Sequence, residues 1–255
     1  MNIVKKYPVA WFVILTVALS FATYFLPLPP EQKSLLVPVL MVLIPTIVSI
    51  TMALVAEGRD GVRQMLSTAN LRRGGIKWLL IGAGLGALVR VIAWVIAILF
   101  RMPIKVDLND PTAWFILLAT IPLALFEEIG WRSYALDRVL KTRSPLEASL
   151  LIGVPWGFLH LTILLPGMMS ESVPAIAQVG SVLLISIILT WAYVRSGHSL
   201  WAATFLHGVQ NGLVVLNRGL SIVPASWLLF ASCFLMAVLL ILFDRRTFFT
   251  KPSSS

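Results

Sequence analysis

Seven side chains suited to polar chemistry interrupt a sequence that is otherwise apolar around them: Arg90, Glu127, Glu128, Arg132, His160, His207 and Asn211. An ionisable group near the centre of a bilayer costs about 2.5–3.5 kcal/mol on insertion scales, so within a spanning segment it marks a functional candidate. The densest group is Glu127-Glu128-Ile129-Gly130-Trp131-Arg132, at the end of an apolar run that begins at Trp114. Glu128 and Arg132 are four apart, one above the other on a helix face, and can form an ion pair that offsets the burial of both. Glu127 lies roughly 100° further round the helix and lacks that partner, which suits a general base. His207 and Asn211 are also four apart, and an imidazole and a carboxamide on one face form a pair of donors for a developing oxyanion. His160 is left to act with Glu127 on a water molecule.

The same residues admit other readings. Glu128–Arg132 is sufficient as a purely structural pair, and His and Asn in spanning helices commonly hydrogen-bond one helix to the next. Glu127, His160 and His207 together offer a His₂-carboxylate set for zinc, although the sequence has no H-E-x-x-H. The cluster also suits a proton or solute path, or a site that binds a peptide without cutting it. Arg90 is expected to be buried against a carboxylate or the carbonyls at a helix C-terminus. His198 is read as an ordinary interfacial residue.

The elements that must position these groups are membrane helices. Of the 255 residues 58% are hydrophobic and only 12% charged, and the mean hydropathy is +0.91. Soluble domains carry about 25% charged residues, so an all-α, polytopic membrane protein is expected. About eight spans are expected, near 9–27, 35–56, 78–100, 112–135, 146–166, 174–194, 199–216 and 225–243, forming one integral membrane domain over residues 1–255. The first follows Lys5-Lys6, has no small-residue cleavage site and is read as a retained helix. Prolines 38 and 45 predict a bend in the second. Residues 57–77 predict a short basic helix in the interface or an ordinary basic loop, the sixth span reads as scaffold, the eighth is apolar throughout, and the tail 251–255 is expected to be disordered.

The formal charge of +9 is distributed by topology. Alternate loops hold 14 of the 20 Lys and Arg residues, the other set holds Lys33, Arg101, Lys105 and Arg218, and Arg90 and Arg132 lie within spans. The positive-inside rule then places both termini and the basic loops in the cytoplasm. This pattern favours membrane lipids as the basic partner and excludes a nucleic-acid footprint. A single cysteine, Cys233, excludes a disulfide framework and a Cys-rich metal site. Counting rise along the expected helices puts Glu127 and His207 roughly 12 Å from the cytoplasmic end and His160 more than ~20 Å from it.

Glu127-Glu128-Ile129-Gly130-Trp131-Arg132, Trp156-Gly157-Phe158-Leu159-His160 and His207-Gly208-Val209-Gln210-Asn211 resemble, in order, three motifs of one family. They are E-E-x-x-x-R, aromatic-x-x-x-His and H-x-x-x-N/B of the CPBP (Abi) family of intramembrane glutamate endopeptidases, which includes CAAX prenyl proteases and bacteriocin-processing or self-immunity proteins. The resemblance covers a catalytic core of about 110–216. It implies that Glu127 and His160 activate the attacking water, that His207 and Asn211 stabilise the oxyanion, and that Glu128 and Arg132 organise the site. Trp156 stands where the family usually has Phe, with Phe158 nearby, which bears on pocket shape. No cofactor or metal is implied. The expected partner is a peptide or protein substrate, prenylated or bacteriocin-like, cut near the cytoplasmic side of the cell membrane. Members that act as immunity or scaffold proteins leave a non-catalytic alternative.

Overall fold

In the computed structural model, which describes residues 2–165 and 173–251, the chain is a helical bundle. The main helices among the described residues are α1 (Pro8–Tyr24), α2 (Pro30–Ser67), α3 (Gly75–Leu99), α4 (Pro111–Glu128), α5 (Pro145–Leu159), α6 (Ala175–Arg195), α7 (Leu200–Gly212) and α8 (Ile222–Phe243). Five helical segments among the described residues are long and apolar enough to cross a membrane: those of α2, α3, α4, α6 and α8. The chain is a multi-pass membrane protein. The remaining three are shorter, α1 with 17 residues, α5 with 15 and α7 with 13. The last residue of the expected span 146–166 and residues 252–255 of the expected irregular tail lie outside the described residues.

Local sequence accounts for several boundaries. Ser144 accepts from the Glu147 backbone N–H while the Glu147 carboxylate accepts from that of Ser144, a capping box with Pro145 in the first turn of α5. Asp110 caps α4 through the backbone N–H of Thr112, ahead of Pro111.

Pro38 and Pro45 both lie inside α2, and a break with non-helical torsions falls at Gly58, at φ 69° and ψ −156°. Beyond that break a separate short helix runs to Ser67, in the stretch where one is expected. One expectation is corrected. Helix α4 does not run on as an α-helix to residue 135. From Ile129 to Leu136 it widens into a π-helix whose residues 130–136 are all buried.

α7 lies between α3 and α4, while α6 packs on α5, α7 and α8. The α3–α7 approach depends on glycine. A Cβ on Gly82 or Gly86 would collide with the carbonyl oxygen of Ala202 or of Leu206. The basic loops gather at one end: Arg73 donates to the Gly197 carbonyl at 3.4 Å, Trp201 to the Ala69 carbonyl at 2.7 Å, and Arg138 pairs with Glu57 at 2.7 Å. At the opposite end, β1 (Lys105–Val106) and β2 (Asn217–Arg218) pair antiparallel, joining the chain after α3 to the chain after α7. That ladder is a small exception to an otherwise helical fold.

His198 is more than an interfacial residue. At φ 63° in the turn between α6 and α7, its Nδ1 lies 2.6 Å from Asp137, which also accepts from the Tyr193 hydroxyl at 3.2 Å.

Candidate active site

The π-helix supplies the frame. Gly130 lies so close to α2 that a Cβ there would stand 2.6 Å from the Pro45 carbonyl oxygen, and Thr46 donates to the Phe126 carbonyl one turn earlier. Within this contact Glu128 and Arg132 are completely buried. Arg132 Nε lies 3.0 Å from Glu128 Oε2 and its Nη1 donates to Oε1 at 3.2 Å. The guanidinium also stacks 4.3 Å from the centroid of the Trp156 ring, a second favourable contact for a buried cation.

Glu128 reaches across to α7, where His207 Nδ1 lies 2.7 Å from Oε1. Because the carboxylate accepts, His207 donates from Nδ1. Its Nε2 is then 2.9 Å from Asn211 Nδ2. A neutral imidazole accepts there from the carboxamide. A protonated one donates to Asn211 with its amide turned over. In both arrangements Asn211 keeps an N–H free for another acceptor.

Trp156 is the hub of the cluster. Its indole N–H donates to Glu127 Oε2 at 3.0 Å, and its carbonyl accepts from His160 Nδ1 at 2.9 Å. The His160 and His207 rings meet it edge-on at centroid distances of 5.6 Å and 5.4 Å. His160 directs Nε2 away from that carbonyl. It stands just past the end of α5, where the helix tightens into a 3₁₀ turn over His160–Leu164.

Four helices enclose a cavity of about 210 Å³ beside these groups. Trp156, His160, His207 and Asn211 form one part of its wall, with Gln178, Ser181, Gln210 and Cys233 among the rest. Glu127 is half-buried and is not a wall residue, though it accepts from Trp156, and Glu128 and Arg132 lie behind His207. Phe158 is 53% exposed on the outer surface of α5 and does not line the cavity. The sixth span, read as scaffold from sequence, and the apolar eighth both contribute to the wall. Gln178, an amide in an apolar stretch, was the available signal; Ser181 and Cys233 gave none. Among the described residues no three His, Cys, Asp or Glu side chains form a group able to hold a metal ion.

Arg90 of α3 is buried against α7. Its Nε donates at 2.6 Å to the carbonyl of Gln210, in the last turn of α7 where intrahelical partners run out.

Residues 109–213 match the family described as type II CAAX prenyl endopeptidase, Rce1-like. Through this core the chain resembles the CAAX prenyl endopeptidase family. A CAAX prenyl protease 2 of Methanococcus maripaludis is 29% identical over 151 residues, covering 55% of this chain and 52% of the relative. The chain thus spans about half the length of that curated relative. The matched residues contain Glu127, Glu128, Arg132, Trp156, His160, His207 and Asn211. Arg90 and Cys233 lie outside them.

Proposed function

We propose that the protein is a metal-independent, glutamate-type intramembrane endopeptidase. The observation that supports this most directly is the convergence of Glu127, His160, His207 and Asn211, from three helices, around the Trp156 ring and a partly polar cavity. Glu127 has one carboxylate oxygen held by the indole and Oε1 left for a water. It takes a proton from that water, with Nε2 of His160 orienting it, and the hydroxide adds to the scissile carbonyl carbon. The tetrahedral oxyanion accepts from the free N–H of Asn211. The C–N bond then breaks as the proton held by Glu127 passes to the departing amine nitrogen. Glu128 and Arg132 act through His207, whose imidazole they orient.

Both ring nitrogens of His207 are engaged, by Glu128 and by Asn211, which supports a reading without a metal ligand at that position. The substrate is a peptide or a segment of a membrane protein, with or without a lipid.

Glu127→Gln preserves the acceptor for the Trp156 indole and removes the base. Purified variant and wild type compared on the peptides that the wild type cleaves should differ by at least ~100-fold in kcat, the scale of a lost general base. Full activity in the variant would exclude the assignment. Wild-type activity should survive treatment with a strong chelator; loss restored by zinc would favour the His₂-carboxylate alternative.

A further inference from the structure

The basic end of the bundle holds a second cavity, of about 420 Å³, which shares no wall residue with the first. The short helix Arg245–Phe249 builds part of it. Phe248 is completely buried and fastens that helix against α5 and α6, while Arg246 and, just beyond the helix, Lys251 line the cavity. Other wall residues come from the turn before α5, among them Arg143, and from the turn after α6, where His198 stands.

Three cations therefore line one space, and among the described residues its wall holds no carboxylate. The acidic groups nearby are already engaged. Asp137 accepts from His198 and Tyr193, and Asp244 accepts from Trp191 and Thr247 and pairs with Arg195. Glu147 accepts from the Ser144 backbone N–H and stands 3.6 Å from Lys251, a loose pair with both side chains exposed. Arg143 and Arg246 are exposed and have no carboxylate partner among the described residues. Guanidinium groups gathered without a counter-ion repel one another, and their planar forks match the oxygens of a phosphate.

The apolar surroundings decide which phosphate. Leu242 and Phe243 at the end of α8, and Phe249 in the short helix that follows, are exposed large apolar side chains. The short helix thus carries both basic and aromatic side chains immediately after a membrane-spanning helix. Basic groups in such an interfacial element lie level with lipid headgroups and aromatic ones reach the acyl chains. A free phosphate ion would leave these apolar groups without a use.

We propose that this cavity binds the phosphate of an anionic phospholipid, held by Arg143, Arg246 and Lys251, with the acyl chains beside Phe243 and Phe249. Under the positive-inside rule the lipid belongs to the cytoplasmic leaflet. The site is separate from the candidate active site and does not rest on the peptidase reading.

Native mass spectrometry of the full chain, released from detergent micelles titrated with phosphatidylglycerol or phosphatidylcholine, tests this. Wild type should retain phosphatidylglycerol in preference to phosphatidylcholine. Arg143→Gln/Arg246→Gln should weaken phosphatidylglycerol binding at least ~10-fold, the scale of lost charge-assisted hydrogen bonds. Arg59→Gln/Arg72→Gln removes the same charge from exposed positions at the basic end that do not line the cavity, and should leave binding nearly unchanged. Melting curves of both double variants in phosphatidylcholine show that they are folded, since all four side chains are exposed. Equal weakening by the two double variants would mean diffuse attraction to the basic end and overturns the proposal. So does equal retention of the two lipids by wild type. Displacement of phosphatidylglycerol by millimolar inorganic phosphate would assign the cavity to the free ion and overturn the lipid as its occupant.

Discussion

The indole N–H of Trp156 donates to Glu127 Oε2 at 3.0 Å, so the residue that departs from the family's usual Phe holds the proposed base directly. A phenylalanine would keep the ring contacts with His160, His207 and Arg132 but has no donor. Hydrogen bonds to charged groups contribute about 1.5–3 kcal/mol. Trp156→Phe should therefore lower kcat by roughly 10-fold or more, at about 1.4 kcal/mol per tenfold, and, because Trp156 is buried and the smaller ring leaves a void, lower thermal stability as well. Steady-state kinetics beside a melting curve in detergent checks both parts.

Glu128 is the counter-ion of Arg132 and the acceptor for His207, in a site without solvent exposure. Glu128→Gln leaves a buried guanidinium without its charge partner, and breaking a buried pair from one side costs about 3–5 kcal/mol. The variant should be markedly less stable than Glu127→Gln, whose site is half-buried and whose role is chemical. Equal melting temperatures for the two variants would contradict this division of roles.

The glycines of α3 give a paired test. Gly86→Ala drives a methyl into the Leu206 carbonyl oxygen, while a Cβ on Gly84 meets nothing within 4 Å. Gly86→Ala should force α7 away from α3 and reduce both stability and activity. Gly84→Ala should be neutral or stabilising by up to ~1 kcal/mol, from helix propensity. Thermal unfolding of the two purified variants separates the outcomes.

At the basic end Asp244 ties α8 to α6. Partial burial opposes its ionisation, but donation by Trp191 at 3.0 Å and Thr247 at 2.9 Å, together with Arg195 at 3.3 Å, holds its carboxyl below the usual 3.8. A lowered folded-state value means the contribution is complete above 3.8 and is lost as the pH falls through the folded value. The stability gap between wild type and Asp244→Asn should be constant from neutral pH down to about pH 5 and close in stronger acid. A gap that stays constant to the acid limit would assign the contact no linkage to protonation.

The amino-acid sequence by itself determined that the chain spans a membrane many times, because no soluble fold hides this much apolar surface. It also determined which polar residues were out of place. Side-chain spacing of four identified Glu128 with Arg132 and His207 with Asn211, since helical geometry alone makes those pairs neighbours. Tertiary structure decided the rest. The π-helix from Ile129 arises where Gly130 meets the α2 backbone at Pro45, a contact between residues far apart in the chain. The joining of Glu128 to His207, the hub at Trp156 and the entry of α6 and α8 into the cavity wall all depend on which helices lie side by side. Periodicity within one helix carries no information about that.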